Sequence, residues 1–441
     1  MSVARDAAML PPKKLDAVEA ARGLCASYVV LAHVFQIIGY RYDWKPEWPL
    51  LVNLCSGYAH EAVLFFFLLS GFSIHYVNVD RSLSRWAEVR HYLYLRWRRV
   101  YPIFAVTVLG ILGLYGLGLA LQLPHYEKIW RTLDWREVWA TLGFVVDRVY
   151  VCGHWFEPMP TNPPFWSLSY EMSYYLIYPL FHALRRRIGI GRATIAGVAL
   201  SLSAGAWNLH DCGHVSNVLS LYGYWCLGAW VAEHVRRGQL IQYPRSLSYL
   251  SPFIGVVLVW TFSESRLSDY DGLPWVFVLL PLLAYPVTVG QRQRLNGRQQ
   301  GWIWATGTAL VLAVLLLGRY KELAVNMTMF NQRLVLFWAA WTLLLGADGS
   351  AWLSRFADTA IKRIAWLGGI SYALYLVHYP LLVFAREAVT GMGAAKHWAL
   401  LVLPLVLGLA YLLEKQLQPR IVTLMETLLG RPREATLSIK N

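Results

Sequence analysis

Long apolar runs, separated by short polar or basic connections, follow one another along almost the whole chain. A membrane-spanning helix needs about 20 mostly apolar residues. Runs of that order fall near residues 18–40, 57–79, 100–123, 165–184, 192–208, 216–235, 247–262, 273–290, 301–318, 331–346, 364–386 and 397–416. Several are short, so two of them are candidates for re-entrant segments. The pattern predicts an all-α integral membrane protein, a polytopic helical bundle of about 10–12 transmembrane helices. A cytoplasmic arm, 1–16, would precede the transmembrane domain, 17–416, and a polar cytoplasmic tail, 417–441, would follow it. The first run opens with Glu19 and Arg22, so it reads as a retained helix and not as a cleaved leader.

The basic residues sort by connection. Arg81, Arg85, Arg90, Arg96, Arg98 and Arg99 follow the second run, Arg185–Arg187 the fourth, and Arg236 and Arg237 the sixth. Arg292, Arg294 and Arg298 follow the eighth, Arg355, Lys362 and Arg363 the tenth, and Arg420, Arg431 and Arg433 the last. All are even-numbered exits, so one side collects the positive charge and both termini fall on that side, the cytoplasm. Counting 136–152 as a further span would move Arg185–Arg187 to the other face. Residues 124–164, rich in Trp, Pro and His, therefore read as one extracytoplasmic excursion with an interfacial or re-entrant helix.

Composition agrees. The chain is 57% hydrophobic and only 15% charged, against about a quarter in soluble domains, and its mean hydropathy is +0.40. The net charge of +14 resides in connections, where positive-inside topology explains it, so nucleic acid is not an expected partner. The 21 Trp and 26 Tyr suit membrane interfaces and sugar-binding surfaces alike. Cys25, Cys55, Cys152, Cys212 and Cys226 lack metal-ligand spacing, and their odd number forbids complete pairing. A Cys152–Cys212 or a Cys55–Cys152 bridge outside the cell is open. No metal site is predicted.

Ionisable groups inside spans cost about 2.5–3.5 kcal/mol each on insertion scales, and persist where they face a cavity or a partner. Arg22 and His33 are eleven residues apart, which returns to within about 20° on a helix and separates them by about 16 Å. They share a face, with the imidazole deeper. Imidazole suits general-base chemistry, although a snorkelling arginine and a hydrogen-bonded helix histidine would explain the pair too. Ser70 and Gly71 interrupt the aromatic run 65–76, most simply for close helix packing. In RWRRVYP, 96–102, Pro102 is placed to open a helix, with Arg98 and Arg99 where a phosphate could be held. Glu171 lies about two turns into a helix entering from outside, and Ser371, Tyr375 and His378 fall at i, i+4 and i+7 on another. Taken singly, ordinary positive-inside charge would explain the arginines, interhelical hydrogen bonding Ser371 and Tyr375, and a satisfied core histidine His378. Together they favour a polar cavity in the bundle.

These pieces, in order, resemble the membrane-bound acyltransferase type 3 family of bacterial O-acyltransferases. Arg22 to His33 matches an arginine–ten residues–histidine pattern. FFFLLSGFSI resembles the family's FF-x-LSGF helix, RWRRVYP its RR-x-x-P entry, FWSLSYEMSYYLIYP its WSL-x-x-E stretch and ISYALYLVHYP its SY-x-x-YL-x-H helix. The last helix departs from the family in ending Glu414, Lys415, Gln416 and not Glu-x-Pro. The resemblance implies a multi-pass bacterial inner-membrane O-acetyltransferase that uses acetyl-CoA, or another acyl-CoA, as donor substrate, with no permanently bound cofactor. The acceptor it implies is a hydroxyl of a saccharide or lipid-linked glycan, such as an exopolysaccharide or lipopolysaccharide. Arg22, Arg98 and Arg99 would hold the CoA phosphates. His33 would deprotonate the acceptor or carry the acyl group itself. Glu171 would orient a histidine or bind sugar hydroxyls, His378 with Ser371, Tyr372 and Tyr375 would line the cavity, and Trp166 would stack on sugar together with Trp130, Trp135, Trp139 and Trp155. The rival class is a transporter or flippase of a sugar or glycan, against which stands the lack of an inverted repeat. Nothing in the sequence sets an oligomeric state.

Overall fold

The computed structural model describes residues 15–39, 55–148, 153–208, 210–238 and 351–429, with isolated positions at 52, 298, 301 and 305. The expected spans at 247–262, 273–290, 301–318 and 331–346 lie outside the described residues. Among the described residues every regular element is helical. The elements are α1 (Asp16–Ile38), α2 (Ala59–Asn78), α3 (Trp86–Ala120), α4 (Pro124–Thr132), α5 (Trp135–Leu142), α6 (Phe165–Ile188), α7 (Ile190–Trp207), α8 (His214–Ser220), α9 (Tyr222–Arg236), α10 (Ala351–Gly368) and α11 (Ser371–Gly391). A composite α12 spans Lys396–Leu428; it opens as a 3-10 helix over Lys396–Val402 and passes through a π-helical turn, Leu412–Leu417. By length and hydropathy α1, α2, α3 and α12 can each cross a membrane, and the bent pair α10–α11 makes a fifth. The all-α polytopic membrane class is therefore shown.

Three boundaries differ from the sequence pattern. α3 starts at Trp86, not near 100, because the Glu88 carboxylate folds back onto the backbone N–H groups of Ser84 and Arg85 and caps the helix there. Arg90, Arg96, Arg98 and Arg99 are consequently on the helix and not in a connection, and Pro102 sits inside α3 instead of opening it. Proline is tolerated mid-helix in a membrane when neighbouring helices re-satisfy the backbone. The sixth run is split at Leu221 into α8 and α9. The eleventh is bent by 62° between Gly368 and Ser371.

Backbone contacts decide how the helices cross. A Cβ on Gly71 would lie 1.9 Å from the Trp225 carbonyl oxygen, and one on Gly228 would lie 1.9 Å from that of Leu68. α2 and α9 thus meet glycine to backbone in both directions, which is what the SGF run provides. α1 meets the α10–α11 bend likewise: Gly23 faces Leu367 at 2.5 Å and Gly368 faces the Glu19 carbonyl at 2.2 Å. Between these seams lies an aromatic core in which Phe67, Phe72, Tyr115, Tyr170, Tyr174, Tyr178 and Trp225 are buried.

The helix directions gather the basic residues at one end, where Arg185 reaches the Val79 carbonyl, Arg186 meets Ser84 and Arg236 meets Asp80. The opposite end carries α4, α5 and Cys212, which is disulfide-bonded. Cys25, Cys55 and Cys226 are free thiols, which excludes the bridge through Cys55. At 9 and 8 residues, α4 and α5 are far too short to cross a bilayer.

A side chain at position 228 must push two backbones apart. Gly228→Val should lose about 1–3 kcal/mol of stability from overpacking. It should lower the thermal unfolding midpoint of detergent-purified protein, whereas Gly110→Ala, with open space around its Cβ, should leave it within a degree or so.

Candidate functional site

The two predicted histidines meet. His33 on α1 and His378 on α11 are both buried, and His378 Nε2 lies 3.0 Å from His33 Nδ1. Each ring also has its Nδ1 at the carbonyl one turn back: Val29 at 2.8 Å for His33 and Leu374 at 3.0 Å for His378. Carbonyls only accept, so both Nδ1 atoms carry hydrogen. The His33 Nδ1–H is then shared between the Val29 oxygen and His378 Nε2. In neutral rings His33 Nε2 is the basic nitrogen, and a proton arriving there creates an imidazolium whose charge His378 shares through the inter-ring bond. Tyr379 packs edge-on against His33 at 4.8 Å.

A file of hydroxyls leads from this pair toward the basic end. The Tyr375 ring lies 5.8 Å from His378, and its hydroxyl meets Ser167 Oγ at 2.7 Å and donates to the Pro164 carbonyl. Glu171, half-buried on α6, accepts from the Tyr175 hydroxyl. Tyr372 is within electrostatic reach of Glu171, Arg99 and Glu414, and donates to the Val100 carbonyl at 2.8 Å. Ser371 does not join the file; it donates to the Gly368 carbonyl at 2.9 Å and closes the α10–α11 bend.

The predicted phosphate ligands are engaged within the protein. Arg99 bonds Glu414 through two nitrogens, at 2.5 and 3.1 Å, and Arg98 pairs with Glu426; both carboxylates belong to α12. Arg22 is half-buried beside Gly23, at the crossing of α1 with α10. Trp166 is only 9% exposed. Arg148 lies over its ring at 5.4 Å, and Phe67 and Tyr170 pack edge-on against it. Trp130, Trp135, Trp139 and Trp155 are all exposed.

Two buried clusters escaped the sequence reading. At the basic end Glu233 of α9 is bonded by both Arg185 Nε and Nη2 at 2.6 Å, by His75 Nε2 at 2.9 Å and by Arg237. His75 also contacts the Tyr178 hydroxyl. At the other end Asp147, fully buried, has His214 Nδ1 at 2.6 Å on one oxygen and the Tyr170 hydroxyl at 2.7 Å on the other. The signal for the first was a single carboxylate in the apolar run YWCLGAWVAEHV. For the second it was Asp147, a carboxylate within the moderately apolar stretch 136–152.

The described bundle thus holds a buried histidine pair, a file of hydroxyls beside it and an arginine-rich end. The chain belongs to the acyltransferase type 3 family, whose acyltransferase-domain profile matches residues 15–291. His378 and its helix lie beyond those residues. Over 148 residues the chain is 34% identical to the acyltransferase MdmB of Streptomyces mycarofaciens, a stretch covering 32% of this chain and 33% of that protein. The chain thus spans about a third of that relative's length. No solved structure matches the chain.

Glu233→Ala would leave Arg185 buried without its carboxylate. Breaking a buried pair from one side costs about 3–5 kcal/mol, so this variant should unfold at markedly lower temperature and accumulate poorly, as read by fluorescence-detected size exclusion across a temperature series. Arg136→Ala, whose pair with Asp134 is exposed, should not.

Proposed function

We propose that the protein transfers an acyl group, most simply acetyl, from a cytoplasmic acyl-CoA to a hydroxyl of a saccharide or lipid-linked glycan. The observation that carries this reading is the buried His33–His378 pair, with both Nδ1 atoms fixed by backbone carbonyls. The acceptor hydroxyl gives its proton to His33 Nε2 while its oxygen attacks the thioester carbonyl. The C–S bond breaks, and the CoA sulfur leaves and takes up the proton from His33. His378 spreads the imidazolium charge in between. Hydroxyls such as that of Tyr375 are the donors at hand for the developing oxyanion.

The basic end supplies the donor side. Arg22, Arg98 and Arg99 would hold the CoA phosphates, with the phosphates taking the place of Glu426 on Arg98 and competing with Glu414 for Arg99. Glu171 would act through the Tyr175 hydroxyl network. The positive-inside rule puts this end in the cytoplasm of a bacterial inner membrane, with both termini there. The disulfide at Cys212 supports an oxidising, extracytoplasmic location for the opposite end.

His33→Ala should lower transfer of labelled acetyl from acetyl-CoA by at least about 100-fold, and His378→Asn by about tenfold, in protein that remains folded. Full activity of His33→Ala would refute its role as base. Arg98→Gln and Arg99→Gln should each raise the KM for acetyl-CoA by about tenfold, the worth of one charge-assisted hydrogen bond, without moving the acceptor KM.

A further inference from the structure

At the disulfide end, a cavity of about 470 Å³ opens between the last turns of α7, the loop 211–213, the start of α8 and the segment carrying Trp155. Small-ligand sites measure about 300–1,000 Å³ and combine apolar or aromatic walls with a few fixed polar groups. Here the aromatic walls are Trp155 and Trp207, 56% and 60% exposed. The polar groups are Asp211, Ser203, Ser216 and the ring of His214.

The walls are held rigidly. The Trp155 ring stacks on His214 at 4.6 Å, with 28° between planes. The Asp147 backbone N–H donates to the Phe156 carbonyl at 3.0 Å, pinning the Trp155 segment from behind. Gly153, at φ +64°, sits so close to Cys212 that a Cβ would fall 2.1 Å from its carbonyl oxygen, and Cys212 is itself disulfide-bonded. Asp147 fixes His214 through Nδ1. Among the described residues nothing bonds His214 Nε2, and that nitrogen is not sealed in the interior. A half-open cavity with two tryptophan faces, a carboxylate, two hydroxyls and an oriented imidazole has the chemistry that recognises a pyranose. Such rings have an apolar face for an indole and a rim of hydroxyls for fixed polar groups.

The cavity is also connected to the histidine pair. The first two turns of α6 carry Tyr170, which bonds Asp147 behind the cavity, and Ser167, which bonds Tyr375 beside His378. We infer that this cavity binds a saccharide unit of the acceptor, with Trp155 and Trp207 against the ring face and His214 Nε2 against a hydroxyl. The inference rests on the saccharide-acceptor reading above.

The test uses full-length protein in lipid nanodiscs carrying His33→Ala, so that no turnover intervenes. Cellobiose, chitobiose and maltose are titrated by saturation-transfer NMR against this protein and against the same background with Trp155→Ala and Trp207→Ala. The expected result is binding of at least one disaccharide, weakened tenfold or more in the double variant, restored by Trp207→Phe with Trp155 intact, and reduced by His214→Gln. Equal binding by the double variant overturns the cavity assignment and leaves the saccharide acceptor standing. Failure of all three sugars to bind overturns it as well. Separately, wild-type acyl transfer to a simple alcohol with every saccharide inert would be the failure of the acceptor reading itself.

Discussion

Lipid offers no hydrogen bonds, so a charged group drawn into this bundle is held by partners within the protein. That constraint shows at three carboxylates that tie the described helices together. Glu233 is held by His75 of α2, Arg185 of α6 and Arg237 just past the end of α9. Asp147 is held by α6 and α8. Glu414 ties α12 to α3. Each carboxylate is a rivet between helices that share little hydrophobic driving force, because lipid tails are as apolar as leucine. The histidine pair is built differently: the two rings bond each other, and each is bonded to a carbonyl one turn back on its own helix. An imidazole held by a second imidazole can take up and release a proton, because the partner ring accepts part of the charge.

The second constraint is closeness. Glycines at 23, 71, 228 and 368 let backbones approach to within a side-chain radius. The α1–α10 seam sets the height of α1 against the α10–α11 bend, and so brings position 33 level with position 378. A bend at Gly368–Gly369, closed by Ser371, aims α11 across α1. The packing glycines and the catalytic candidates are thus one arrangement: the seam determines the register, and the register determines whether two imidazoles meet.

Much of this was legible in the sequence, unevenly. The membrane class followed from the apolar runs, and the pairing of Arg22 with His33 on one helix face followed from spacing alone. The meeting of His33 with His378 did not, since helical period says which face a residue takes but nothing about which helix lies opposite. The same gap hid the Glu233 and Asp147 clusters, whose partners on other helices are 48 and 158 and 23 and 67 residues away. The start of α3 was missed for a different reason. Hydropathy marks where a helix enters apolar surroundings, whereas the cap by Glu88 marks where the helix begins, and in α3 these differ by about four turns. Pro102 was misleading for the same cause.

The polar groups also differ in kind along the bundle. The basic end holds arginine–carboxylate pairs, Arg185 and Arg237 with Glu233, Arg99 with Glu414 and Arg98 with Glu426. The middle holds hydroxyls and two imidazoles, groups that move protons without carrying permanent charge. The far end holds an oriented histidine beside exposed indoles and serines. A carrier that moved a charged cargo through the bundle would need charged or carbonyl ligands at mid-depth. The described middle offers instead two imidazoles and a file of hydroxyls, with Glu171 among them, between an arginine-rich end and an aromatic one. That gradation suits a site where two substrates arrive from opposite sides and only an acyl group passes between them.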